Sequence, residues 1–328
     1  NTGKEIYRFG KDAMGERFRM ALESKAKEGL EVKILVDAWG TGADISFFEP
    51  LIKVGVDVRI YRKMKLEKGF LSKNHCRNHR KLIVIDSSIG YIGSTNITAY
   101  CLNWRELNLR TTDLNLLSIF RRSFKDSYRS FERYTFNKIG TKRDLHSGDW
   151  VFIQDIPGIY RQKIKTKYER MISKAEKEIL IETPYFLPGH YLRKLLCEAA
   201  QRGVNVVIIT PIHSDVHVVD IIRRHYLGGL HQAGVKLFFY TAGNLHAKGI
   251  MIDQDVFSIS SANFDYRSFR YQYELALIGK EKSLIPQLRE HFDSSLKYCT
   301  SFDYQSWKKR STVERIIELM LLPFRYLF

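Results

Sequence analysis

The chain has 328 residues, 44% hydrophobic and 27% charged, a globular composition that excludes disorder, collagen-like repeats and a coiled coil. Its 53 Lys and Arg against 36 Asp and Glu leave a net charge of +17, which favours partners that carry phosphate, nucleic acid or an anionic membrane. Four scattered cysteines, Cys76, Cys101, Cys197 and Cys299, exclude a disulfide scaffold, and neither a run of 18 apolar residues nor a signal-peptide pattern occurs.

Glu5 to Phe9 reads as a strand, and Ala13 to Lys27 as a helix whose Met14, Phe18 and Leu22 recur at helical spacing. Val32 to Val36 reads as a buried strand, Phe47 to Val54 as a short helix, and Val56 to Ile60 as a further strand. The 23 residues from Arg59 to Lys81 carry nine Lys or Arg against one Glu. Their place just before the next strand points to a phosphate-attracting rim, the plain alternative being a solvated loop. Lys81 to Ile85 and Ile89 to Ile92 follow as β-rich runs joined by the turn Asp86-Ser87-Ser88.

The same order then restarts. Arg161 to Lys177 has helical spacing, Glu178 to Glu182 is a strand closed by Thr183-Pro184, and a helix from Tyr191 to Gln201 precedes the strand Val204 to Ile209. A long helix over Val216 to Leu230, the strand Val235 to Tyr240, and two short strands, Lys248 to Ile252 and Val256 to Ile259, complete it. Strands alternating with helices predict an α/β fold of two mixed, mostly parallel sheets flanked by helices.

Some phrases repeat: Lys27-Glu28-Gly29-Leu30-Glu31-Val32 answers Gln201-Arg202-Gly203-Val204-Asn205-Val206, and Val54-Gly55-Val56 answers Ala233-Gly234-Val235. An internal duplication follows. It sets a first half at 1–145, a second at 146–300 and an amphipathic C-terminal segment at 301–328, with the polar stretch Gly140 to Gln154 as junction. The second copy carries an additional helix near Ile159 to Lys177. The expectation is therefore that the chain begins inside its first repeat, with a helix and a membrane anchor upstream.

One repeated phrase carries chemistry. His79-Arg80-Lys81, four residues, Asp86, six residues and Gly93-Ser94-Thr95-Asn96 recur as His246-Ala247-Lys248, four residues, Asp253, six residues and Ser260-Ser261-Ala262-Asn263, offset by 167 throughout. Glu106 and Glu274 lie 27 and 28 residues past their histidines. Side chains two apart on a strand share a face, so His79 and Lys81 are expected to point together. A pseudo-twofold axis between the halves would bring two His, two Lys and two Asn into one cleft. Two imidazoles facing each other across a phosphorus can divide the work, one attacking and one protonating the leaving oxygen. Lys81, Lys248, Asn96, Asn263, Ser94 and Ser261 would hold the phosphoryl oxygens. Glu106 and Glu274 suit the task of fixing an imidazole tautomer. Asp86 and Asp253 each end a strand at a turn, where Asp bonds its own backbone, which points to a structural role.

A single match to such a pattern is weak in a chain this basic; two with the same tails inside a duplicated unit are not. The paired phrases resemble the HxKx4Dx6GSxxN motif of the phospholipase D superfamily, over nearly the whole chain. Within it, Ile181-Glu182-Thr183-Pro184-Tyr185-Phe186-Leu187-Pro188 and Ala262-Asn263-Phe264-Asp265-Tyr266-Arg267-Ser268 resemble bacterial cardiolipin synthases. The resemblance implies the duplicated phospholipase D-like fold and metal-independent phosphatidyl transfer through a phosphohistidine, without a cofactor. His79, Lys81, Asp86, His246, Lys248 and Asp253 would be the catalytic motif residues, with His79 as nucleophile and His246 as general acid and base. The second motif departs from the pattern at Ser260, where the family has Gly. A hydrolase giving phosphatidic acid and a nuclease of the same superfamily are the competing readings.

His75, Cys76 and His79 could suggest a metal, but no matching ligand cluster accompanies them. The seven Lys and Arg between Ile159 and Lys177 read as a solvated face. At the C-terminus, Val313, Ile316, Ile317, Met320 and Leu321 have helical spacing, and both a core-docked helix and an interfacial one remain open. The partners expected are anionic phospholipids and a bacterial membrane surface, with nucleic acid disfavoured and no obligatory protein partner.

Overall fold

The computed structural model describes residues 2–41, 45–61, 76–129, 144–158 and 162–327. In chain order the first half has β1 (Thr2–Ile6), α1 (Ala13–Lys27), β2 (Val32–Asp37), α2 (Ala38–Thr41), a 3-10 turn (Ile45–Phe48), α3 (Glu49–Lys53) and β3 (Asp57–Tyr61). The two-residue β4 (Arg77–Asn78), β5 (Leu82–Ile85), β6 (Ile89–Gly93), β7 (Asn108–Thr111) and α4 (Leu114–Arg129) follow. Helix α1 starts where its sequence says it should: Asp12 accepts from the N–H groups of Met14 and Gly15, two donors the first turn leaves free. The same carboxylate accepts from Thr98 and Ala99, which ties the cap to the loop beyond Asn96.

The second half has β8 (Leu145–Ser147), β9 (Trp150–Asp155), α5 (Lys163–Ser173), β10 (Glu178–Glu182), α6 (His190–Gln201), β11 (Asn205–Pro211), α7 (His217–Gln232) and β12 (Lys236–Tyr240). After them come β13 (Gly249–Ile252), β14 (Val256–Ser260), α8 (Tyr266–Tyr271), β15 (Gln272–Gly279), α9 (Ile285–Leu296), β16 (Cys299–Ser301), α10 (Tyr304–Lys308), α11 (Thr312–Leu321) and a closing 3-10 turn (Leu322–Leu327).

Two mixed sheets result, one ordered β3-β2-β1-β5-β6-β7 and the other β16-β12-β11-β10-β13-β14-β15-β9-β8, with β4 joined to β15. The sheets are mixed, as the alternation predicts, but not mostly parallel. Parallel pairing is confined to β1–β2–β3, β10–β11–β12 and β4–β15. The short runs that follow each trio are joined by tight turns, and a turn that short can link only antiparallel neighbours. The first strand lies earlier than expected, starting at Thr2 and ending at Ile6, while Phe9 bridges Ile97 and donates its N–H to Thr41 Oγ1 at 3.3 Å.

Both sheets share one core. Leu82, Ile92, Leu107 and Phe120 of the first half pack with Leu180, Met251, Leu275 and Phe292 of the second. Each sheet covers its other face separately, the first under α1 and α3 and the second under α5, α6 and α7. Of the basic stretch Arg59 to Lys81, residues 62–75 lie outside the described residues, as do 140–143 of the expected junction.

Candidate active site

Each histidine is delivered by a backbone segment that crosses to the other half. Strand β4 pairs in parallel with β15, Arg77 beside Gln272 and Asn78 beside Tyr273, and His79 N then donates to Tyr273 O at 3.0 Å. The second half reciprocates: Arg105 bridges Leu245, and His246 N donates to Arg105 O at 2.7 Å. In both cases the accepting carbonyl belongs to the residue just before a glutamate. Those glutamates then reach the rings, with Glu274 Oε1 2.9 Å from His79 Nδ1 and Glu106 Oε1 2.8 Å from His246 Nδ1. A carboxyl oxygen that accepts from Nδ1–H leaves Nε2 of each ring as the reactive nitrogen.

The two motifs therefore meet. His79, Asn96, His246 and Asn263 line one cleft of about 260 Å³. Both asparagines are nearly buried, and their Oδ1 acceptors have no hydrogen-bond partner among the described residues; toward a phosphoryl oxygen it is the Nδ2 group of each amide that can donate. The lysines arrive differently from the expectation. Residues 79–81 are not strand; they bridge β4 and β5, and Lys81 Nζ folds back to donate to His79 O at 2.8 Å. Lys248 Nζ does the same to His246 O at 2.7 Å. The backbone at His79 is occupied by the other half, which displaces the strand-like path that the sequence pattern suggested.

Burial dominates the electrostatics, and its consequences differ between the two histidines. Burial pushes His79 well below its usual value, helped by Lys81, Lys248 and His246, so its imidazole is neutral. Burial likewise raises the Glu274 carboxyl to about 8 against the pull of Lys81. Burial would raise Glu106 too, but His246 and Lys248 hold it at about 2, so His246 has a firmly ionised partner. His246 is lowered by burial and by Lys248, with Glu106 opposing. Burial brings Lys81 to about 7 and Lys248 to about 8; an arriving phosphoryl anion would favour their charged forms.

The serines are not phosphate donors in this arrangement. Ser94 Oγ donates to Leu107 O and accepts from Leu107 N; Ser261 accepts from Leu275 N and donates to Glu274. Each hydroxyl locks the backbone of the residue just after a glutamate, a positioning task. Asp86 and Asp253 do not line the cleft. Both sit at left-handed turn positions, with φ of 49° and 54°. Asp253 accepts from the N–H groups of Glu176, Lys177 and Glu178 at 2.7–3.0 Å, holding the backbone that enters β10 rather than its own turn. Ser260 fits where the first motif has Gly93. A Cβ at Gly93 would stand 2.4 Å from Asn108 Oδ1, whereas Ser260 faces the small Ala276.

Several cleft residues went unread in the sequence. Tyr7 meets His79 edge-on at 4.8 Å, and Trp104 tilts against His246 at 5.2 Å. Arg8 contacts the Tyr100 hydroxyl, and Arg267 lies 5.7 Å from the Trp39 ring, its Nε unpartnered among the described residues. A signal did exist: Tyr100 and Arg267 each follow their motif's Asn by four residues, the same 167 offset, which marks both as cleft positions.

Among the described residues no group of three or more His, Cys, Asp or Glu is placed to hold a metal ion, and no helix is long and apolar enough to cross a membrane. His75, one of the candidate ligands, lies outside the described residues.

The family model described as "Cardiolipin synthase, PLD-like domain" matches this chain twice, at residues 6–128 and 168–296. A cardiolipin synthase of Clostridium perfringens is 32% identical over 332 residues, covering 97% of this chain and 70% of its own length. The major cardiolipin synthase of Bacillus subtilis is 32% identical over 329 residues, 96% and 67%. Among solved structures, phosphatidylserine synthase of Haemophilus influenzae superposes with a TM-score of 0.72 at 13% identity, covering 100% of this chain and 90% of the other. Polyphosphate kinase of Porphyromonas gingivalis gives 0.64 at 12% identity, covering 99% and 48%, and both likenesses speak to the fold.

Proposed function

We propose, since this chain belongs to the phospholipase D-like family of cardiolipin synthases, that it moves a phosphatidyl group from phosphatidylglycerol to the hydroxyl of a second phospholipid. The observation that carries this reading is the single cleft in which His79 and His246 stand with Asn96 and Asn263, each ring braced by the other half's glutamate.

The electrostatics support a division of roles. Neutral His79 attacks phosphorus through Nε2; the P–N bond forms as the P–O bond to glycerol breaks, and His246 gives its proton to the departing oxygen. His246, left neutral, then takes the proton of the acceptor hydroxyl, whose oxygen displaces His79. Ionised Glu106 stabilises the imidazolium form with which His246 begins the first step and ends the second. Lys81, Lys248 and the two carboxamides meet the phosphoryl charge, so the chemistry needs no metal. Arg267 and Arg8 supply further positive charge in the cleft, suited to the acceptor's own phosphodiester.

The test is incubation with headgroup- and acyl-labelled phosphatidylglycerol in mixed micelles. The reading expects cardiolipin and free glycerol; phosphatidic acid with glycerol would mean that water is the acceptor and the enzyme is a hydrolase.

A further inference from the structure

Helix α11 is mounted with its polar side inward. Glu314 pairs with Arg224 of α7 at 3.4 Å, and Glu318, fully buried, pairs with Arg310 at 3.1 Å. Leu321 and Leu322 pack on Val219 and Ile222. The opposite side carries Val313, Ile316, Ile317 and Met320 at i, i+3, i+4 and i+7, and with Leu319 these are 43–68% exposed. Phe324 and Leu327 extend the exposed row. A capping box between Ser311 and Glu314 fixes the start of the helix, so this exposure belongs to a formed helix.

Soluble surfaces avoid a contiguous apolar row of this kind. We propose that it docks on the surface of an anionic phospholipid bilayer, an inference that rests on the lipid-transfer reading. Two observations select lipid as the occupant. The first is continuity with the cleft: Val216 and Val219 line it, and Leu321 and Leu322 pack against the same cluster. Tyr326 meets Tyr266 edge-on at 4.8 Å, and the neighbours of Tyr266, Asp265 and Arg267, line the cleft from the other side. Docking through α11 therefore brings the cleft mouth to the layer that holds the substrate, where exposed Trp39 and Tyr100 on its rim are suited to the headgroup region. The second is charge: exposed Lys308, Lys309 and Arg315 flank the apolar row, in a chain of net charge +17.

The experiment is flotation of the full chain with vesicles of phosphatidylglycerol and phosphatidylethanolamine, and with phosphatidylcholine vesicles, for wild type, Ile316→Asp/Met320→Asp and Ile316→Ser/Met320→Ser. The expected result is binding to the anionic vesicles only, reduced by about tenfold or more in the aspartate pair and less in the serine pair. Both variants should melt with wild type and keep their turnover in detergent micelles. Undiminished vesicle binding by the aspartate pair overturns the proposal. So does a large loss of melting temperature in both pairs, which would make the row a buried core, or a wild-type dimer that the substitutions split without affecting vesicle binding. Vesicle binding is read without turnover: normal flotation with no lipid product would sink the transfer reading and leave the docking face standing.

Discussion

Glu274 Oε1 lies 2.9 Å from His79 Nδ1, although 195 residues and the boundary between the two halves separate them. The reciprocal pair is Glu106 with His246 at 2.8 Å. Neither half can orient its own histidine. Active-site assembly is therefore coupled to the docking of the halves, and the shared core between the sheets is what holds both contacts in register.

This crossing predicts the effect of the glutamates. Glu106→Ala and Glu274→Ala should each lower glycerol release by about 10–100-fold, the usual loss when the partner that orients a working imidazole is removed. The double variant should lose less than the product of the two, because both act on one reaction. Activity within twofold of wild type in either single variant would remove the glutamates from the account.

Glu274 also predicts a pH dependence of stability. Its carboxyl is pushed up to about 8, so the folded protein keeps a proton that the unfolded chain releases above the ordinary value of 4.5. That contribution is full below the ordinary value and fades as pH rises through about 8. Glu274→Gln stays neutral throughout. The melting temperature of the variant relative to wild type should therefore rise between pH 5 and pH 8; a constant difference would show that Glu274 is ionised in the fold.

Arg267 is predicted to serve the acceptor. Arg267→Ala should raise the concentration of acceptor lipid needed for half-maximal cardiolipin formation by about tenfold, while release of glycerol in the first step changes little, the pattern of a lost charge-assisted hydrogen bond. Equal loss in both steps would place the guanidinium on the donor phosphate instead.

Asp253 should matter to stability more than to chemistry. Asp253→Ala leaves the N–H groups of Glu176, Lys177 and Glu178 to water and should cost about 0.5–1.5 kcal/mol in denaturant unfolding. A fully stable but inactive variant would restore a catalytic role.

How much of this was legible in the sequence follows from what is local. The 167 offset and the strand and helix periods are local patterns, and they located the histidines, lysines, asparagines and glutamates as well as most elements. The pairing of Glu274 with His79 rather than with His246 is a tertiary choice made by β4 joining β15, a two-residue strand with no periodic signature. For the same reason the path of His79 to Lys81 was read as strand, and Ser94 and Ser261 as phosphate donors. The exposed side of α11 was undecided by spacing alone, since Arg224, about 90 residues away from Glu314, and Arg310, just before the helix, determine which side turns inward.

The central claim is a covalent bond between His79 and the phosphatidyl group, with His246 as the proton carrier, and one measurement addresses it directly. His246→Asn, incubated with labelled phosphatidylglycerol, quenched and digested, should carry the label on the peptide that contains His79, as an acid-labile phosphoramidate, and His79→Ala should carry none. Label on the peptide around His246 in His79→Ala, or rapid glycerol release from His79→Ala, would contradict the account.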